Sequence, residues 1–383
     1  MKKVGIITII DYNNYGNRLQ NYATQEVLKS LGFSVETIIN YPKKPKGDNN
    51  SRMLNKIYKL REYTISEVLI KVINKTILKN KIKNLKNTRL ESFENFTKLN
   101  IVETDYIISD CNIPSDLSNK FDYFITGSDQ VWNPTFRYGS SVDFLTFAPR
   151  YKRIAYAPSF GISEIPSKYK ENYKTWLSEM ASLSVREEAG AKIIKDLTGR
   201  DAPVLVDPTL MLSKEKWLSI SKESTNKPKG EYLLTYFLGD ISEENGKIIN
   251  NLARNNNLQI VNLANIKYGQ TYTAGPSEFI DYINSASIFC TDSFHGCVFS
   301  ILLGKPFIVF DRQDKIPSMN SRIDTLLSKF KLESRKAQNI KNNKQAFEID
   351  YSHVHPILEF ERKKAIDYLK KALNVGEDTK NEN

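Results

Sequence analysis

Cysteine is scarce in this chain: 3 of 383 residues, Cys111, Cys290 and Cys297. Three thiols cannot pair completely, and with no C-x-x-C present the sequence argues against a disulfide framework and a cysteine zinc site. Histidine is equally scarce, at 3 residues, and no H-E-x-x-H motif occurs, so neither a metal centre nor a cofactor is expected. No apolar run approaches the ~20 residues of a membrane-spanning helix. Met1-Lys2-Lys3 leads into an apolar run too short for the core of a signal peptide, which points to a cytoplasmic protein. Neither G-x-G-x-x-G nor G-x-x-x-x-G-K-[ST] is found, so the familiar nucleotide loops are missing.

What is present is length, aromatic content and localised charge. A chain of 383 residues exceeds one ordinary core, and two domains are expected. The net charge is +11, but residues 41–100 carry 15 Lys and Arg against 5 acids. Nearly all the excess therefore sits in one stretch, which reads as amphipathic helices inserted into the first domain. A solvated helical face is one use for it. Peripheral docking on an anionic membrane surface is the other, at about 1 kcal/mol per basic residue near the surface. Without interleaved aromatics or a helix-turn-helix signature, nucleic acid is not an expected partner.

Along the chain, β-branched runs alternate with helical spacing. VGIITII (4–10) reads as a buried strand. NYGNRLQNYATQEVLKSLG (14–32) follows as a glycine turn and a one-faced helix, with Asn17 read as its N-cap. FSVETIIN (33–40) is the next strand. The pattern resumes at FDYFITGSDQVW (121–132), RIAYAPSFG (153–161), SLSVRE (182–187) and APVLVDPTLML (202–212). A second series begins near residue 230 and runs through EYLLTYFL, LQIVNLA, SIFCTDS and KPFIVF. Strands and helices alternating at this length imply parallel βαβ units. The expected fold is α/β, with two Rossmann-like domains facing a central cleft: an N-terminal domain over 1–225, a C-terminal domain over 230–345 and a terminal helix over 356–373.

Ligands of open α/β sheets bind outside the carboxyl ends of the strands. The polar residues expected there are residues 13–18, Ser128 and Asp129, Ser159, Arg186, Asp207, residues 292–296 and residues 311–315. Asn17 and Arg18 sit at a helix N-terminus suited to an anion. His295, flanked by Ser293 and a helix start, is the candidate histidine. Arg186 is a candidate cleft guanidinium and Lys315 a second cation, whereas Asp207, before a proline, reads as a turn-capping residue. Together they describe a cationic, histidine-containing cleft for an anionic small molecule.

Six of these strings, NYGNRLQNYA, FDYFITGSDQVWNP, RIAYAPSFG, SLSVREE, VLVDPTLML and TDSFHGCVFSILLGKPFIVF, together resemble the polysaccharide pyruvyl transferase family over residues 1–330, apart from the basic stretch. The resemblance implies a two-domain fold of the GT-B type. It also implies transfer of the carbon skeleton of phosphoenolpyruvate onto two hydroxyls of a sugar, in a polysaccharide or its lipid-linked precursor, as a cyclic ketal. It places Arg186, His295 and Lys315 at the donor site, with His295 as general acid or phosphate ligand. Asn17, Arg18, Ser128, Asp129 and Ser293 would line the substrates. A lipid-linked acceptor would draw the enzyme to the inner face of the cell membrane. A glycosyltransferase using a nucleotide sugar is the alternative on the same architecture, and a non-catalytic binding protein is the alternative of another class.

Overall fold

β-branched runs become parallel strands because buried, evenly bonded ladders favour such side chains on both faces. The computed structural model describes residues 1–42, 75–312 and 321–375. In the first half, β1 (Lys3–Ile7), α1 (Tyr15–Ser30), β2 (Ser34–Asn40), α2 (Lys75–Asn100), β3 (Glu103–Ile108), β4 (Tyr123–Thr126) and β5 (Arg153–Ala155) build a sheet of order β3-β2-β1-β4-β5. All its pairings are parallel. The strand order reverses between β1 and β4, so the loops after these two strands border the ligand crevice of the sheet. SLSVRE and VLVD extend this layer only through isolated parallel bridges, Ile154 to Ser182 and Val185 to Val204.

The second half repeats the plan. β6 (Tyr232–Tyr236), β7 (Gln259–Asn262), β8 (Ile288–Thr291) and β9 (Phe307–Val309) form a parallel sheet of order β7-β6-β8-β9. Here the order reverses between β6 and β8. Asp292 stitches that point, its two carboxylate oxygens accepting from the backbone of Leu238 (2.6 Å) and Gly239 (2.7 Å). The α/β class and the two parallel sheets are those expected from the sequence, and the carboxyl ends of the strands face each other across a cleft.

Three local differences have physical causes. β1 ends at Ile7, short of the apolar run, because side chains take over the next carbonyls: Asn40 donates to Thr8 O and Asn17 to Ile9 O. The N-cap of α1 is Asn14, whose side chain accepts from Asn17 N at 3.2 Å, so Asn17 lies inside the first turn. The basic stretch is not shown as a helical insert. Its described part, α2, is the crossover between the parallel strands β2 and β3, while residues 43–74 lie outside the described residues.

The halves share one apolar core. Tyr15 of α1 is fully buried between Phe93 of α2 (ring centroids 5.1 Å) and Phe279 of the second half (4.3 Å), both stacked. Pairs of this kind add about 0.5–1.5 kcal/mol beyond their buried area. The buried guanidinium of Arg89, also on α2, donates to Tyr15 Oη (2.7 Å) and to the carbonyls of Tyr272 (2.6 Å) and Leu263 (3.3 Å), tying the crossover helix to the second half. The helix Val354–Ala372, the last among the described residues, returns to the first half. There Tyr368 donates to Ala155 O (2.6 Å), Lys364 to Val204 O (3.0 Å) and Arg362 to Leu210 O (2.7 Å).

Candidate active site

On the first-half side, the turn after β1 and the loop after β4 are bolted together by Asn17. Its amide donates to Ile9 O (2.8 Å) and to Asp129 Oδ2 (2.9 Å), and its carbonyl accepts from Asp11 N (3.0 Å). Asp129 holds a left-handed backbone, φ 68°, of the kind that clusters at ligand sites. Burial would raise its carboxyl, but the charges of Arg186 and His295, the hydrogen bond from Asn17 and the charge of Arg322 outweigh that and hold it below the usual range.

Arg18, expected in the cleft, lies directly behind Asn17, donating to its Oδ1 from Nε and Nη2. Adjacent helix positions point about 100° apart, so the residue after Asn17 turns toward β3. Its guanidinium is fully buried against Glu103 Oε1 at 2.7 Å and donates to Ile9 O. Arg18 therefore fixes the turn from behind.

Asp207 is the hub of the site. One carboxylate oxygen accepts from Thr209 N (3.0 Å) and Thr209 Oγ1 (2.6 Å), the turn-capping role expected before Pro208. The other accepts from Ser128 Oγ (2.8 Å) and Arg186 Nη1 (2.5 Å), and lies 3.6 Å from His295 Nε2. Burial alone would raise this carboxyl. The charge of His295, the charge of Arg186 and the bond from Thr209 hold it well below the carboxylate range.

The second-half side comes from the helix Phe294–Leu303, capped by Ser293, whose Oγ accepts from Gly296 N at 3.3 Å. Its first turn presents Phe294 and His295, both buried. His295 reaches across the cleft to the start of α1. A Cβ on Gly16 would stand 2.0 Å from His295 Nδ1, so glycine is what permits this approach. The Arg186 guanidinium lies 4.5 Å from the centre of the Phe294 ring. Arg322, from the helix Ser321–Lys329, lies 6.0 Å from the same centre. Burial, followed by the like charges of Arg186 and Arg312, pushes Arg322 down to about 9. Arg186, Arg322 and Lys329 border a recess with Leu210, Thr325 and the carboxylate of Asp207, and the charges of Glu187 and Asp129 also act on Arg322.

The family model described as polysaccharide pyruvyl transferase matches residues 14–314. The chain belongs to the polysaccharide pyruvyl transferase family. This is a family of transferases in polysaccharide biosynthesis, and it implies a pyruvyl donor and a sugar or polysaccharide acceptor. No curated protein matches the sequence. Among solved structures, S. aureus MnaA with UDP is similar at 11% identity and TM-score 0.48, covering 98% of each chain. A Listeria monocytogenes protein described as a putative UDP-N-acetylglucosamine 2-epimerase is similar at 10% identity and TM-score 0.46, covering 96% of this chain and 90% of that one. E. coli ADP-heptose lps heptosyltransferase II is similar at 10% identity and TM-score 0.34, covering 95% and 99%. At these values none of the three assigns an activity to this pyruvyl transferase family member.

The family match contains every sequence-predicted site residue except Lys315, which follows its end by one position and lies outside the described residues. Asn17, Ser128, Asp129, Arg186 and His295 are brought together, Ser293 caps the helix beneath them, and Arg18 backs Asn17, donating to its Oδ1 from Nε (3.1 Å) and Nη2 (2.9 Å). Sequence reasoning missed three contributors: Asp207 as the central acceptor, Phe294 as a platform and Arg322. Phe294 was visible only as a letter inside SFHG. Arg322 lies in no motif, and nothing in its neighbourhood signals burial of its charge. Among the described residues no helix is long and apolar enough to cross a membrane, and no group of three metal-ligating side chains is assembled.

Proposed function

We propose that this pyruvyl transferase family member takes phosphoenolpyruvate as donor and forms a cyclic ketal on a sugar of a polysaccharide or its lipid-linked precursor, releasing phosphate. The observation that carries the reading is the meeting of Arg186 and His295, from opposite halves, on the buried carboxylate of Asp207. The donor bears a phosphate and a carboxylate, and a guanidinium clamps either bidentately. Arg186 gives only Nη1 to Asp207, and its Nε and Nη2 have no hydrogen-bond partner among the described residues.

The proposed chemistry is compatible with that geometry. Protonation of the donor methylene makes it a methyl group and leaves the neighbouring carbon electrophilic. A sugar hydroxyl adds there, phosphate departs, and a second hydroxyl closes the ketal. One hydroxyl proton replaces that delivered to carbon, and the other leaves with phosphate. His295 supplies or relays the proton, and Arg186 with Lys315 stabilises the departing phosphate. Asn17, Ser128, Asp129 and Ser293 hold the loops that position both substrates. A lipid-linked acceptor places this work at the cytoplasmic face of the membrane, where the basic residues of 41–100 would favour anionic lipid.

Calorimetry of the purified protein with phosphoenolpyruvate and with UDP and GDP sugars tests the donor, coupled to phosphate release on addition of sugar acceptors. Binding and consumption of phosphoenolpyruvate are expected. Binding of a nucleotide sugar in its place would move the chain to glycosyl transfer.

A further inference from the structure

Ketal formation delivers one proton to carbon and takes one from each of two sugar hydroxyls. His295 serves the delivery, and none of the groups described above is assigned to the removal. A base for a hydroxyl must be ionised at the working pH, open to the substrate and not already committed to a cation.

Asp11, in the turn after β1, meets these conditions. Its backbone N–H donates to Asn17 Oδ1 at 3.0 Å, and Asn17 Nδ2 donates to Asp129 Oδ2 at 2.9 Å. Two aspartates thus flank one side-chain amide at the carboxyl ends of β1 and β4, where the strand order of the first sheet reverses. The same start of α1 meets His295 at Gly16, so proton donor and carboxylate border one stretch of the cleft. Both aspartates are half-buried, but their surroundings differ. Asp129 uses both oxygens, Oδ1 accepting from Gln130 N at 2.8 Å, and the charges of Arg186 and His295 hold it low. The Asp11 carboxylate has one hydrogen bond, Oδ1 accepting from Asn13 N at 2.9 Å, and no ion pair among the described residues.

Burial is the largest influence on Asp11 and raises its carboxyl above the usual value. The Asn13 bond and the charges of Arg18 and Arg89 act against burial, Asp129 acts with it, and the balance is upward. Tyr236, at the end of β6 in the second half, feels the charge of Asp11 in turn. Desolvation that dominates a residue still in contact with solvent describes the floor of a cleft. Carboxylates pushed apart in this way divide acid–base work between them. The one held low stays a fixed negative charge, and the one raised is the stronger base.

We propose that Asp11 is the general base that takes the proton of the attacking sugar hydroxyl, in an acceptor subsite at the turn after β1. The proposal rests on the pyruvyl transfer reading and adds the acceptor side to it. The hydroxyl oxygen bonds to the electrophilic donor carbon while its O–H bond breaks. The electron pair stays on oxygen, and the proton passes to Asp11 Oδ2. Protonated Asp11 loses it to water, and the same route serves the second hydroxyl. The net balance, one proton to carbon and one to phosphate, is unchanged.

The test uses the full chain, phosphoenolpyruvate as donor and methyl hexopyranosides as acceptor probes, with phosphate release followed across the acid and neutral range. Asp11→Asn still accepts from Asn13 N but cannot take a proton. It is expected to lower kcat about 10²–10⁴-fold and to leave phosphoenolpyruvate affinity, measured by calorimetry, unchanged. It should also abolish the fall in kcat that protonation of Asp11 causes in wild type as pH decreases. Arg18, Arg89, Asp129 and Tyr236 are the charged and titratable groups facing Asp11, and the variant leaves all four in place. A carboxyl raised on folding weakens the fold when ionised, so the variant should melt no lower than wild type. A lower melting temperature with the acid limb intact makes Asp11 a turn residue only and overturns the proposal. If Asp11→Asn does not fold, Asp11→Ser, which can still accept from Asn13 N, must show the same loss of turnover. Wild-type kcat in the folded variant overturns the base and keeps the pyruvyl reading. A wild type that neither binds phosphoenolpyruvate nor releases phosphate with these sugars removes that reading, and the base with it.

Discussion

Asp207 of the first half lies 3.6 Å from His295 of the second, and the same carboxylate oxygen takes the 2.5 Å bond from Arg186. One acidic group thus contacts both proposed donor-site side chains. Removing one partner of a buried ion pair costs about 3–5 kcal/mol, so Asp207→Asn should lower stability at neutral pH and abolish most turnover. The pH dependence has a definite sign. The folded carboxyl is held below its ordinary value of 3.8, so its stabilisation is complete above that value and disappears as pH falls below it. Melting curves of wild type and variant should converge in acid. A gap that stays constant from neutral pH to pH 3 would show that the charge of Asp207 is not its source.

Arg186→Lys keeps one positive charge and loses the fork. A lysine ammonium cannot serve Asp207 and present two further donors to an anion in the same geometry. We expect kcat/KM for phosphoenolpyruvate to fall about 100-fold or more, equivalent to roughly 2.7 kcal/mol. Steady-state phosphate release measures it, and unchanged kinetics would remove Arg186 from the donor site.

His295→Gln preserves size and polarity but cannot deliver a proton. The expected loss is about 10²–10⁴-fold in kcat, the range of a general acid, with donor affinity little changed. If donor affinity falls and kcat survives at saturation, His295 is a phosphate ligand. If neither moves, it is only part of the packing between the halves.

Gly16→Ala tests the close approach across the cleft. The added methyl would need the space of His295 Nδ1, 2.0 Å away. Overpacking of this kind costs about 1–3 kcal/mol, and here it must shift either the imidazole or α1. Both lower stability and turnover together, read by thermal unfolding and phosphate release. A variant with wild-type activity would mean that the ring can move without consequence.

Arg89→Met should loosen the join between halves. It leaves the carbonyls of Leu263 and Tyr272 without this donor, at about 1–3 kcal/mol for each buried group left unmade. A lower melting temperature with the secondary structure intact by circular dichroism is the expected result.

Much of the fold was legible because parallel strands buried on both faces announce themselves as β-branched runs, as in YFIT and IFCT. The ends of elements were less so. β1 stops at Ile7 because Asn40 and Asn17, distant in sequence, capture the following carbonyls. Candidate site residues next to strand ends, such as Asp129 and His295, could be named from position alone. The fate of Arg18 depended on Glu103, 85 residues away, and no local pattern reveals such a partner. For the same reason Asp207 showed only its local capping of Thr209, and Arg322 showed nothing.

The return of the last helix to the first half bears on how the protein is made. Tyr368, Lys364 and Arg362 satisfy carbonyls at Ala155, Val204 and Leu210, groups the ribosome has released some 150 residues or more earlier. Until that helix emerges, the layer carrying Arg186 and Asp207 waits with part of its edge uncovered. The Arg186–Asp207 pair thus sits in a layer that is complete only once residues 354–372 have emerged, and a nascent chain halted before residue 354 would present an incomplete first half to chaperones and proteases.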